Sequence, residues 1–365
     1  MLPMLISIFF VSFVSLFFLR KVAQKIDLVD IPNTRKQHHG TIPLVGGIAI
    51  TVTLVCILTI NPDLLQHVDL YLFCIIVLAL LGALDDKYDL SVSLRMGIQA
   101  ALSVLVLYKG NLSLESFGNL LGSGNIELGS WGVIVTIIAV IGAINAFNMV
   151  DGIDGLLGGL AIVTFSSLGI LLTIQQQTML AQFCWIIITT LLPYIAMNLG
   201  YCGKKRKVFM GDAGSMVIGF TVVWLLMALS QTNTSTVISN VSMKPVTALW
   251  IIAIPLMDMT AIMIRRMLQG RSPLKPDRGH LHHILQRIGF STYQTLVIIV
   301  SLGAFFALIG IFGEYANIAD EWMFIGFMIC FIGYYYVLNY LENMTTPHLE
   351  TEASHSHNNT SITEN

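Results

Sequence analysis

The sequence predicts an all-α membrane protein, a polytopic bundle of about 11 transmembrane helices. Of its 365 residues, 55% are hydrophobic and only 11% are charged, whereas soluble domains carry about 25% charged residues. The apolar stretches are continuous rather than alternating, which favours helices over barrel strands. We expect an integral-membrane domain over residues 1–341 and a polar, disordered cytoplasmic tail over residues 342–365.

Eleven apolar stretches approach the length of about 20 residues that a helix needs to cross a bilayer core. They cover residues 2–19, 42–60, 70–84, 94–108, 131–147, 156–175, 180–198, 214–230, 245–264, 294–313 and 322–341. The first stretch lacks a basic start and a small-residue cleavage site. We therefore expect it to be a retained span and not a cleaved signal peptide.

Basic residues lie almost entirely in alternate loops. If the loops are numbered from the one after the first predicted span, the odd-numbered loops and the start of the span that follows one of them contain 17 of the 19 Lys and Arg residues. The even-numbered loops contain only Lys109 and Lys244. Because positive charge stays in the cytoplasm, we expect a periplasmic N-terminus and a cytoplasmic C-terminus. The net charge of -2 indicates no nucleic-acid partner, and the five scattered cysteines indicate neither a disulfide framework nor a metal site.

Two adjacent carboxylates, Asp85 and Asp86, end the third predicted span. The two negative charges of such a pair repel each other unless a cation binds them or the two carboxyl groups share a proton. For the pair alone, plain solvation at a helix end with Lys87 as partner is a slightly better interpretation than catalysis.

A second polar cluster, Asn145, Asn148, Asp151 and Asp154, follows the fifth predicted span. In a helix, the last three of these residues would share one face. Their loop contains no basic residue, and uncompensated carboxylates at a membrane edge indicate a bound metal ion. An ordinary polar turn is the alternative, but a turn does not need two carboxylates and two asparagines at this spacing.

Asp212 enters the eighth predicted span within Gly-Asp-Ala-Gly-Ser, directly after the basic run 204–207. It could cap that helix, although capping does not explain its neighbours, and the basic run by itself is typical of positive-inside charge. Asp258 lies inside the ninth predicted span. An intramembrane carboxylate is functional by default, with a hydrogen bond between packed helices as the alternative.

Histidines lie close together in two predicted cytoplasmic loops. His280, His282 and His283 could bind zinc, but no cysteine or carboxylate obviously completes that site. In a loop rich in arginine, partly protonated imidazoles suit a diphosphate better. The first loop contains Lys36 and His38, and basic residues beside a membrane favour anionic headgroups, with plain topological charge as the alternative.

The motifs occur in loops that the charge count places on one face. A metal ion, carboxylates and basic residues at a lipid–water boundary suit a reaction between a nucleotide diphosphate and a lipid phosphate. A transporter or flippase would need acidic residues near the middle of the membrane, where only Asp258 clearly lies. A metal-dependent lipid phosphatase is a closer alternative, and a structural scaffold is the weakest.

These motifs resemble the signature of the polyprenyl-phosphate N-acetylhexosamine-1-phosphate transferases, which are of glycosyltransferase 4 type. The resemblance spans the first to the eleventh predicted span and is carried by residues 84–86, 145–155, 208–215 and 280–283, with 36–38 and 42–47. The histidine arrangement differs from the three consecutive histidines of the branch that uses phospho-N-acetylmuramoyl-pentapeptide. That difference argues against the peptidoglycan precursor as donor.

The resemblance implies transfer of GlcNAc-1-phosphate from UDP-GlcNAc to undecaprenyl phosphate, with release of UMP, at the start of O-antigen or enterobacterial common antigen synthesis. It implies the cell inner membrane, a cytoplasmic active site and Mg²⁺ or Mn²⁺. Another UDP-N-acetylhexosamine donor is the alternative. Direct attack and a covalent aspartyl intermediate both remain open, as does the oligomeric state, a homodimer included.

Residue roles also follow from the resemblance. Asp212 is the expected metal ligand, completed or supported by Asn148 and Asp151. The expected catalytic carboxylates are Asp85, Asp86, Asp151 and Asp154, with the first two engaging the lipid phosphate. The residues expected to bind substrate are His280, His282, His283, Arg265, Lys36 and His38.

Overall fold

The computed structural model describes residues 1–31, 40–231, 243–273 and 279–360, with side chains up to residue 344. The described chain is predominantly helical. Its helices are α1 (Leu2–Lys25), α2 (Gly46–Ile60), α3 (Val68–Tyr88), α4 (Val92–Gly110), α5 (Gly132–Met149), α6 (Leu156–Ile174), α7 (Thr178–Asn198), α8 (Gly211–Ser230), α9 (Pro245–Ile251), α10 (Ala253–Leu268), α11 (Leu281–Ile288), α12 (Thr292–Tyr315) and α13 (Asp320–Thr360). Two short antiparallel strands, β1 (Val29–Asp30) and β2 (Ile42–Pro43), precede α2.

Within the described residues, nine helices are long and apolar enough to cross a membrane, and the α9–α10 pair makes a tenth if it is one bent span. The shorter helix α2 is also apolar. Each of the eleven predicted stretches therefore has a helical counterpart. The prediction of an all-α polytopic membrane protein is confirmed, while the number of spans and the sidedness stay predictions.

The ninth predicted span, 245–264, is wrong as a straight helix. It consists of α9 and α10, which meet at Ile252 with a bend of 84°. Pro255 lies in the first turn of α10 and has no N–H group to continue the helical hydrogen-bond ladder across the break. Helix α10 carries Asp258, which contacts His280 of the predicted histidine motif.

Helix α8 forms the centre of the bundle, almost completely buried against α2, α3 and α5. A Cβ atom on Gly47 of α2 would overlap the backbone at Gly214, and one on Gly82 of α3 would overlap the backbone at Ala213. Small residues allow helix backbones to touch in this way. The contact holds the C-terminal end of α3 beside the N-terminal end of α8.

The last helix, α13, continues past residue 341, where the membrane domain was predicted to end. The division into a membrane domain and a polar tail stays a prediction. The long predicted loop 265–293 is shorter in the structure, because α10 runs to Leu268 and α11 occupies Leu281–Ile288.

Candidate active site

Two of the predicted carboxylates meet where α3 ends and α8 begins. Both carboxylate oxygens of Asp86 accept from the backbone N–H of Asp212 at 3.0 Å. Gly211 makes this approach possible: its φ is +71°, and a Cβ atom there would overlap the Asp86 carboxylate. Asp86 thus occupies the positive end of the α8 dipole. Met210 is the N-cap residue, so the Asp212 carboxylate does not cap its own helix.

Asn148 brings the second motif to the same place. It lies in the last turn of α5, and its Nδ2 donates to Oδ1 of Asp212 at 2.7 Å and to Oγ of Ser215 at 2.8 Å. Because both bonds use the amide nitrogen, the amide oxygen of Asn148 remains for another ligand. The predicted meeting of Asn148 with Asp212 is therefore found in the structure.

Arg95, in the first turn of α4, was not among the predicted site residues. Its Nη1 lies 2.5 Å from Oδ2 of Asp85 and 3.6 Å from Oδ2 of Asp212. The other oxygen of Asp85 accepts from the Leu90 N–H at 2.8 Å. Lys87, the expected partner of Asp85, instead donates to the carbonyl of Ile26. One guanidinium thus faces two carboxylates, and the only signal for it in the sequence was its place just after a predicted cytoplasmic loop.

The prediction that Asp151 and Asp154 share a helix face is wrong, because both residues lie in the turn between α5 and α6. Gly155, at φ +78°, ends this turn in a left-handed conformation that glycine adopts readily. Lys207, from the segment before α8, lies 2.5 Å from Asp154. The prediction that these carboxylates have no basic partner is therefore wrong for Asp154, whose counter-ion comes from another loop.

Asp151 has a different electrostatic environment. Burial, together with the nearby charges of Asp212 and Asp154, raises the pKa of its carboxyl from 3.8 to about 7. In the part of the chain that the structure describes, no basic side chain forms an ion pair with Asp151. A cation bound here would favour the ionised form of this group.

The histidine motif reaches the same turn. The ring of His282 lies directly against Gly152, where a Cβ atom would overlap its Nε2. The rings of His280 and His282 are stacked, with centroids 5.8 Å apart and an interplanar angle of 7°. His280 is the N-cap residue of α11, and His282 lies in its first turn.

His282 is not the partly protonated ring that the sequence suggested. Burial, followed by the charge of neighbouring His283, lowers the pKa of the His282 imidazole to about 3. At neutral pH this side chain therefore offers hydrogen bonds and an aromatic surface, and it carries no positive charge.

Arg265 contacts the residue that precedes the histidine motif. It is buried, its guanidinium forms an ion pair with Glu342, and Gly279 packs against it. The structure therefore places Arg265 beside the segment that leads into α11. Lys36 and His38 lie outside the described residues, so their predicted contact with substrate stays a prediction.

The side-chain oxygen atoms of this site are chemically suited to bind a divalent cation. Among the described residues, no group of three or more His, Cys, Asp or Glu side chains is arranged to hold a metal ion. Mg²⁺, however, is usually bound by one or two carboxylates together with substrate phosphates. Asp212, Asp151 and the free amide oxygen of Asn148 provide such a partial oxygen set.

Comparison with known proteins shows the family to which the chain belongs. Residues 68–230 match the model of Glycosyl transferase family 4. The undecaprenyl-phosphate alpha-N-acetylglucosaminyl 1-phosphate transferase of Escherichia coli O157:H7 is 50% identical over 335 residues, which cover 92% of this chain and 90% of that protein. The proteins of the same name from Escherichia coli strain K12 and Pasteurella multocida are both 49% identical, with 90% and 93% of their lengths covered. The chain belongs to glycosyl transferase family 4.

Proposed function

We propose that this enzyme transfers GlcNAc-1-phosphate from UDP-GlcNAc to undecaprenyl phosphate, releasing UMP and forming undecaprenyl-diphospho-GlcNAc. The observation that carries the proposal is the joining of Asp86, Asp212 and Asn148 by hydrogen bonds at one end of the bundle. Relatives about 50% identical over nearly the whole chain are named for this reaction.

In this reaction, an oxygen of the lipid phosphate attacks the donor phosphorus that carries the sugar. The bond from that phosphorus to the oxygen bridging the two donor phosphates breaks, and UMP leaves. The acceptor phosphate is already mostly ionised near neutral pH, so a strong general base is not required. Arg95 lies between Asp85 and Asp212, where its charge can stabilise phosphate oxygens as negative charge shifts to UMP.

We favour direct attack over an intermediate on Asp85 or Asp86. Both oxygens of Asp85 are occupied, one by Arg95 and one by the Leu90 N–H. Both oxygens of Asp86 accept from the Asp212 N–H. Carboxylates held in this way are suited to positioning and charge balance, and less suited to act as free nucleophiles.

The group expected from the family is Mg²⁺ or Mn²⁺, for which Asp212, Asp151 and Asn148 are the candidate ligands. When bound, such an ion neutralises diphosphate oxygens and so lowers the cost of charge on the leaving phosphate. Asp154 is paired with Lys207, so its proposed role is to hold the Lys207 ammonium group beside the site.

We further propose eleven spans, an inner-membrane location, a periplasmic N-terminus, and a C-terminus and active site in the cytoplasm. The one-sided distribution of basic residues supports this sidedness. The product would start O-antigen or enterobacterial common antigen synthesis, and a homodimer stays a prediction.

Mass spectrometry of the lipid and nucleotide products tests the donor. Purified enzyme would receive undecaprenyl phosphate with UDP-GlcNAc, or with UDP-GalNAc in a matched reaction. We expect UMP and a diphosphate-linked HexNAc lipid from UDP-GlcNAc. Product from UDP-GalNAc alone would change the donor but keep the reaction, whereas free phosphate released from the lipid without UMP would support a phosphatase instead.

A further inference from the structure

Asp258 is a carboxylate buried inside α10, with 2% of its surface exposed. Its Oδ2 lies 2.7 Å from Nδ1 of His280, and its Oδ1 accepts from the Leu281 N–H at 3.0 Å and from the Tyr334 hydroxyl at 2.7 Å. A carboxylate inside a membrane bundle is tolerated where donors replace its lost water. All three donors come from outside α10, so Asp258 ties α10 to the start of α11 and to α13.

These bonds fix the orientation of His280. Because Nδ1 faces a carboxylate, Nδ1 carries the proton, and Nε2 is the nitrogen left to interact with a ligand. The bond from Leu281 fixes the backbone at the start of α11 in the same way. Asp258 therefore holds both the imidazole ring and the helix that follows it.

The orientation of His280 is passed on to His282, because the two rings are stacked almost in parallel. The Nε2 atom of His282 is buried and has no hydrogen-bond partner among the described residues. It lies against Gly152, in the turn that contains Asp151. A buried polar atom without a partner, beside a catalytic turn, is a position where a substrate group can complete the hydrogen bonding.

We propose that Asp258 and Tyr334 are positioning residues for the nucleotide-sugar donor. They touch no reacting atom; they hold His280 and, through it, His282 in the orientation that the donor requires. This inference rests on the proposed function and deepens it. It predicts that a hydroxyl on α13 controls donor binding and leaves acceptor binding unchanged.

The test compares Tyr334→Phe with Tyr336→Phe, two substitutions that each remove one hydroxyl from the same helix. Tyr336 is 69% exposed, and no hydrogen bond of its hydroxyl is seen in the described structure. Calorimetric titration would measure the affinity for UDP-GlcNAc and for UDP, and kinetics would give KM for each substrate. We expect Tyr334→Phe to weaken donor affinity and raise donor KM about tenfold, the loss expected for one hydrogen bond to a charged group.

The acceptor KM of Tyr334→Phe should stay at the wild-type value, while its unfolding temperature should fall slightly because a buried hydrogen bond is lost. The Tyr336→Phe enzyme should match the wild type in all of these measurements. Asp258→Asn should weaken donor binding more than Tyr334→Phe does, and if it does not fold, Tyr334→Phe decides alone. Unchanged donor affinity in Tyr334→Phe would overturn the inference, and so would an equal loss for both substrates accompanied by a lower unfolding temperature. Wild-type enzyme that binds neither UDP-GlcNAc nor UDP would instead contradict the proposed function, and the inference would fall with it.

Discussion

Replacement of Gly152 by alanine tests whether the histidine motif and the acidic turn form one site. A Cβ atom at Gly152 would lie 2.6 Å from Cε1 and 2.8 Å from Cδ2 of His282 and would overlap Nε2. Ordinary contacts to a Cβ atom begin at 3.4 Å, so either the ring or the turn must move by about 1 Å. A displacement of this size in a catalytic site can lower the rate about 100-fold.

We therefore expect Gly152→Ala to lower kcat/KM for UDP-GlcNAc by about 100-fold, which corresponds to about 2.7 kcal/mol of transition-state stabilisation. The assay is initial-rate release of UMP at saturating undecaprenyl phosphate. Gly97→Ala is the matched control, because no atom lies within 4 Å of a Cβ atom at that position. Wild-type kcat/KM in a folded Gly152→Ala enzyme would show that the histidine motif and the acidic turn do not form one site.

Three other predictions concern charges around the site. Arg95→Met leaves the buried carboxylate of Asp85 without its cation and should lower the free energy of unfolding by about 3 kcal/mol. In thermal unfolding, the double variant with Asp85→Asn should recover most of that lost stability. No recovery in the double variant would contradict the pairing of Arg95 with Asp85. Lys207→Gln breaks a more exposed pair, so it should change the free energy of unfolding by less than about 1 kcal/mol. The pKa of Asp151 is raised in the folded state from 3.8 to about 7, so the folded protein binds more protons between these values. In buffer without divalent cations, its stability should therefore fall as pH rises from about 4 to about 7. Asp151→Asn should reduce this slope by the contribution of one group, and an unchanged slope would assign it to other groups.

The fold class and the proximity of the acidic motifs could be predicted from the sequence on physical grounds. Long apolar segments determine helices in a bilayer, and alternating basic loops indicate which motifs share a face. Asn148 and Asp212 were expected in one site, and the structure joins them with a hydrogen bond of 2.7 Å.

The partners of individual charges could not be predicted in the same way. Arg95 reaches Asp85 because the short connection between α3 and α4 reverses the chain, and its spacing of 10 residues predicts no contact by itself. Lys207 meets Asp154 across 53 residues of sequence, and Tyr334 meets Asp258 across 76. Such pairs depend on how separate helices pack, which periodicity along one helix does not specify.

The bend in the ninth predicted span was also missed. Hydropathy over 245–264 is continuous, and Pro255 near the middle of a span is compatible with a straight helix when neighbouring groups satisfy the freed carbonyl. Helix α9 packs chiefly against α12 and α10 chiefly against α5, although both also contact α12 and α13; hydropathy along one segment does not specify where such a break falls.

The most direct test of the proposed reaction is transfer of label from radiolabelled UDP-GlcNAc to undecaprenyl phosphate in detergent, with and without Mg²⁺, by wild-type enzyme and by Asp212→Asn. We predict Mg²⁺-dependent label in the lipid fraction with an equal amount of UMP for the wild type, and no transfer by a folded Asp212→Asn enzyme. An active, metal-dependent Asp212→Asn enzyme would contradict the assignment of the metal ligand. No transfer by folded wild-type enzyme supplied with both substrates would contradict the proposed reaction itself.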